Sequence, residues 1–175
     1  VNFSFDYISN SNSSSNDDFV NNTMNAIFKQ YRKNNGSDVG IALSTLTNDG
    51  KLEIDVEVTS IVEQKYMLAV WVLENGIYNE GQNNAVTDVH KTYNHALRYI
   101  ATPYSMEDIS GDNLGLITAG GTASKSYSVT LDSSWRANQL EVIAIVSTMS
   151  DGEYYDVANC AVCPANASKD YEYVE

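Results

Sequence analysis

The chain has 175 residues, of which 43% are hydrophobic, and its 10 Lys and Arg stand against 23 Asp and Glu for a formal charge of −13. That length suits one domain and permits a core without metals or disulfides, since a chain of this size buries roughly 70% of its unfolded surface. The charge excludes ordinary nucleic-acid binding, which needs cations to displace phosphate counterions, and it opposes binding to anionic lipid.

Two further exclusions follow from the chain order. No apolar run approaches the ~20 residues that cross a bilayer, and Met67 to Leu73 is bounded by polar and charged residues. The chain opens on Val1 and a polar Asn/Ser-rich stretch with no leader signature, so it reads as a fragment or a processed form.

The Ser/Asn tract at 9–16 is a polar linker, and a helix is expected after it. Ser15 is its cap, Asp18 completes a capping box, and Phe19, Met24, Ile27, Phe28 and Tyr31 recur at near-helical spacing. Lys29, Arg32 and Lys33 suit the negative end of the helix dipole, and Gly36 ends it. They are also the chain's basic cluster.

From Val39 the period becomes two. Val39, Ile41 and Leu43 alternate with small residues, Asn48-Asp49-Gly50 is a hairpin turn, and Lys51 to Val58 alternates without a fault. One face of that hairpin is core and the other is water. Met67 to Leu73 is apolar on both faces and predicts a central strand closed by Asn75-Gly76. Residues 75–92 and 104–123 read as long loops, with a strand over Tyr93 to Ala101 between them, stopped by Pro103. Strands are then expected at Tyr127 to Leu131, Leu140 to Val146 and Glu153 to Ala161, with a turn at Ser150-Asp151-Gly152. Seven strands with no βαβ rhythm predict an all-β, immunoglobulin-like antiparallel sandwich with one N-terminal helix. The expected layout is a single domain: linker and helix over 1–38, sandwich over 39–163, tail over 164–175.

One stretch has a more specific pattern. Val72, Glu74, Asn75, Gly76 and Ile77 end a strand, Gln82 follows, and Asn94, His95, Leu97 and Arg98 begin the next. This pattern resembles the twenty-eight-kilodalton outer membrane protein family of bacterial cell envelopes, and the likeness extends over most of the chain. The resemblance implies an immunoglobulin-like C-terminal half that follows a thioredoxin-like N-terminal half. It also implies export, with an address at the outer membrane, the cell surface or the periplasm.

Four groups of residues are candidates for chemistry. Cys160 and Cys163 form a C-x-x-C. In an extended strand their Cα atoms are ~10 Å apart, so a disulfide needs a turn at Ala161-Val162. The choice is between a local structural bridge and two ordinary thiols, since neither a helix N-terminus nor cations lower the thiol pKa. Asp88, His90 and His95 are a candidate metal set, but so few ligands seldom select a transition metal. Glu53, Asp55 and Glu57 form a carboxylate stripe that reads as a solvated sheet face. Tyr78, Gln82, Tyr93 and Tyr104 lie in or beside the long loops, where tyrosine gives contact area at low entropic cost.

No nucleophile elbow, phosphate loop or zinc-protease motif is present. The expected function is a non-catalytic binding or structural module of an exported envelope protein. It uses no cofactor and takes a protein or glycan ligand at the cell surface, as in adhesion. The alternative is an accessory domain that presents substrate to a thioredoxin-like redox half.

Overall fold

A computed structural model describes residues 37–81, 91–105, 108–150 and 154–171. The expected N-terminal helix and the Ser150-Asp151-Gly152 turn, apart from Ser150, lie outside them. The described part is mostly antiparallel β-sheet with little helix, including a short 3-10 turn at Ala137–Gln139. No helix among the described residues is long and apolar enough to cross a membrane.

Strand β1 (Val39–Asn48) and strand β2 (Lys51–Ser60) form the expected hairpin. Asp49 and Gly50 both adopt positive φ, at 49° and 74°. Such a turn matches the right-handed twist of its strands. Strand β3 (Gln64–Glu74) is the central strand foreseen for Met67 to Leu73.

The loop expected at 75–92 carries a small ladder, with β4 (Ile77–Tyr78) paired to β5 (Thr92–Tyr93). Strand β6 (Ala96–Ile100) follows after a break at His95, whose φ is 57°. The loop expected at 104–123 is also partly strand. Strand β7 (Asp112–Ile117) pairs with the N-terminal half of β3, while β6 pairs with its C-terminal half. Strands β8 (Thr122–Thr130), β9 (Leu140–Ser150) and β10 (Tyr154–Pro164) come next, and β10 runs past Ala161 through Cys163. Residues expected as tail supply β11 (Ser168–Lys169), which pairs with β1.

These strands make one sheet in the order β11-β1-β2-β8 and a second in the order β10-β9-β3-β6, with β7 beside β6 on β3. Both sheets feed a single core. Ile41, Leu52, Ile54 and Val56 from the first meet Leu68, Val70, Val142 and Ala144 from the second. Alternation dictates this packing, because every second side chain of β2 points to the same face. At the margin, Tyr127 of β8 donates to Asp112 of β7 at 2.7 Å and so ties one sheet to the other.

Between β6 and β7 the chain runs beside the middle of β3. Ala101 N–H donates to Val70 O at 2.8 Å, and Val70 N–H donates to the Thr102 hydroxyl at 3.3 Å. The chain returns at Gly111, where a Cβ would lie 2.1 Å from Leu68 O. Only glycine fits so close to a neighbouring backbone.

Candidate functional site

The residues of the sequence pattern converge at the C-terminal end of β3. Glu74 is the last residue of that strand and is 1% exposed. A buried carboxylate is costly unless it is paired and hydrogen-bonded, and Glu74 is both. Arg98 of β6 donates its Nε–H to Oε2 at 2.8 Å, and Arg136 donates its Nε–H to Oε1 at 2.8 Å. Burial pushes the Glu74 carboxyl up, but the hydrogen bonds from Arg136 and Arg98 outweigh it and hold the group below the usual glutamate range. Arg136 also donates from Nη2 to Asn75 O at 2.6 Å.

Two asparagines then close the base of the loop. The Asn75 side chain accepts the His95 N–H at 2.8 Å, and the Asn94 side chain accepts the Gly76 N–H at 2.9 Å. Asn75 N–H donates to Gln139 O at 2.9 Å. The His95 ring bonds through Nδ1 to Glu141 of β9. Glu74, Asn75, Gly76, Asn94, His95 and Arg98 therefore share one clamp that fixes where the chain leaves β3 and enters β6. The bonds of the clamp fix strand ends and backbone groups, and its one imidazole, His95, is engaged by the Glu141 carboxylate.

The other expected residues are more scattered. Asp88, His90 and Gln82 lie outside the described residues. His95 is on the clamp, where its ring bonds to Glu141. Among the described residues no group of three His, Cys, Asp or Glu is placed to hold a metal. Tyr78 and Tyr93 face each other's strands in the β4–β5 ladder, where Ile77 pairs with Tyr93 and Tyr78 with Thr92. Both are exposed, as is Tyr104. Tyr78 bonds to Glu80, which Lys91 also pairs with at 2.9 Å, so the ladder is braced at its tip.

Cys160 and Cys163 both lie in extended β10 and are unbridged, Cys160 exposed and Cys163 buried. The turn that a bridge requires is not formed in β10. Burial pushes the Cys163 thiol up, against smaller downward pulls from Thr45 and Lys169. It is protonated at neutral pH and a poor nucleophile.

Sequence reasoning missed the pairing at the heart of the clamp. Its visible signal was an acidic residue at the end of an apolar strand, where a charge needs partners.

No curated protein matches the chain in sequence. The chain superposes on HBP35 of Porphyromonas gingivalis with a TM-score of 0.63 and 20% identity, over 81% of this chain and 45% of that one. That likeness shows a shared fold, and this chain spans less than half of the HBP35 chain. A domain of the outer membrane lipoprotein Omp28 from the same organism matches 74% of this chain and 89% of that one, at 17% identity and a TM-score of 0.47. The family model described as outer membrane protein Omp28 matches residues 5–165, which include the whole clamp. The chain belongs to the Omp28 outer membrane protein family, and with that membership comes an address at the outer membrane of the cell envelope.

Proposed function

We propose that this chain is the non-catalytic accessory half of a longer exported protein, and that it presents polypeptide substrates to a thioredoxin-like redox half. The supporting observation is the share of HBP35 that it matches, 45%, which leaves room in that relative for a second domain of similar size. The thioredoxin-like character of the second half comes from the family resemblance. The clamp around Glu74 supports a presenting role, since it stiffens the base of the β4–β5 ladder, which carries the exposed Tyr78 and Tyr93. Tyr78, Tyr93 and Tyr104 are the proposed contact residues. The strand orders of the two sheets, joined in one core, support an immunoglobulin-like sandwich as the scaffold.

The test compares the intact parent protein with a form lacking this domain, on two substrates. One is a small-molecule disulfide and the other an unfolded polypeptide disulfide. The expected result is unchanged turnover of the small molecule and reduced turnover of the polypeptide. Equal turnover of the polypeptide by both forms would leave the passive envelope module, adhesive or structural, as the better reading.

A further inference from the structure

We propose that the free edge of β8 is a strand-addition site for an extended, basic segment of a partner polypeptide. The inference does not depend on a redox half. It begins from the backbone. Strand β8 pairs with β2 in unbroken register, from Thr122 opposite Thr59 to Thr130 opposite Lys51. Its other edge has no backbone partner among the described residues. In an antiparallel strand every second residue aims its N–H and C=O at that edge, so among the described residues a row of these groups has no strand opposite it.

The other sheet edges are guarded. Strand β10 has a bulge between Val157 and Asn159. Its carbonyls at Ala158 and Pro164 accept from Ser37 and Thr45, and its Asn159 side chain donates to Val39 O. Strand β11 is two residues long, and the pairings of β6 and β7 with β3 are both irregular. Bulges and short strands are how proteins discourage unwanted pairing. Nine-residue β8 has no proline and no bulge, and its one guard is the inward-row charge of Lys125, which an incoming strand has to answer.

The side chains around the edge specify the partner. On the outer face, Ser124, Ser126 and Ser128 of β8 stand opposite Glu57, Asp55 and Glu53 of β2. The serine hydroxyls donate to the carboxylates at 3.5, 2.6 and 2.8 Å respectively. None of the three carboxylates is in an ion pair among the described residues. An added strand would lie roughly 10 Å from β2, two strand spacings. Lysine or arginine at alternate outward positions reaches across the small serines to those carboxylates. On the inward-pointing row, Lys125 is the one charged residue of β8 and makes no ion pair among the described residues. It rejects a cation beside it and favours an acidic or small residue there, which sets the register of the incoming strand. The edge thus fits a chain that pairs by backbone, carries cations on one face and has an acidic residue mid-strand on the other.

The probe is a capped nine-residue peptide, Val-Lys-Thr-Lys-Glu-Lys-Thr-Lys-Val, added to the 175-residue chain. Residue-resolved amide exchange reads the edge. The expected result is slowed exchange at alternate residues of β8, and affinity that weakens roughly ten-fold in the combined variant Glu53→Gln, Asp55→Asn, Glu57→Gln. A control peptide of equal charge with proline in place of both threonines should give no protection. Absence of β8 protection, or equal binding of the proline peptide, would overturn strand addition. Equal binding of a peptide with glutamate in place of every lysine would overturn the basic partner. The substituted carboxylates are exposed or half-buried at the surface, and near-ultraviolet circular dichroism of the variant verifies its fold.

Discussion

Arg98 donates to the buried carboxylate of Glu74 at 2.8 Å, and this one pair joins the end of the central strand to its short neighbour β6. Arg136 approaches the same carboxylate from the segment before β9, so one anion organises three parts of the chain. Taking away both arginines would leave a buried charge without compensation, a change that costs about 3–5 kcal/mol. The double variant Arg98→Ala, Arg136→Ala should lose stability on that scale in urea unfolding, and each single variant should lose less. A loss under ~1 kcal/mol, the size of an exposed pair, would mean that the clamp is decorative.

The same carboxylate sets a pH dependence. The Glu74 carboxyl titrates lower in the folded protein than an ordinary glutamate does, because the arginine hydrogen bonds overcome the effect of burial. Its stabilising contribution is therefore complete above the unfolded value of ~4.3. It is lost as pH falls through the folded value. Comparison with Glu74→Gln isolates this group from the other carboxylates. The stability gap between the two proteins should be constant from neutral pH down to about 5 and should narrow below about 4. A gap that widens on acidification would reverse the sign and refute the assignment.

The asparagine pair makes a more local prediction. Asn75 accepts the His95 N–H and Asn94 accepts the Gly76 N–H, so each side chain satisfies a backbone donor of the other strand end. Asn75→Ala should cost about 1 kcal/mol, the usual net value of such a bond. Amide exchange should quicken at His95 and through the β4–β5 ladder and stay unchanged in β1 and β2. Uniform quickening over the whole domain would indicate a global loss of stability instead.

The residues that were easy to read are those whose geometry is local. The β1–β2 hairpin is legible because Asp49 and Gly50 tolerate positive φ and Leu52 to Val58 alternates strictly. Strand β7 was not legible. Asp112, Asn113 and Gly115 interrupt its alternation, and it is strand because the edge of β3 supplies its backbone partners. Strand β10 outran its expected end because Pro164 sits at the last position, where a missing N–H costs little, and its carbonyl is used by Thr45. The clamp was half-visible. Glu74 and Arg98 stand in one recognisable pattern, but Arg136 lies 62 positions from Glu74, and no local signal announces so distant a partner.

The cysteine pair should behave asymmetrically. Cys160 is exposed, while Cys163 is buried and its thiol is pushed up by desolvation. A thiol reagent at neutral pH should label one cysteine quickly and the second only as the protein unfolds, and mass mapping should place the fast label on Cys160. Slow labelling of both, reversed by reductant, would instead show a bridge and require β10 to turn at Ala161-Val162.

Two glycines with similar backbone angles separate strain from crowding. Gly50 and Gly111 have φ values of 74° and 86°, yet a Cβ at Gly50 meets nothing within 4 Å while one at Gly111 falls 2.1 Å from Leu68 O. Gly50→Ala should therefore cost only the conformational penalty, about 1–2 kcal/mol. Gly111→Ala adds a backbone clash, and forced overpacking costs a further 1–3 kcal/mol or so. The clash sits where the β6–β7 segment returns to β3, so relief requires β7 to move away from Gln64 to Leu68. Thermal unfolding of the two variants should rank Gly111→Ala well below Gly50→Ala, and exchange should rise in β7 before it rises in β9. Equal melting temperatures would mean that the approach to β3 at Gly111 is looser than its contact with Leu68 implies.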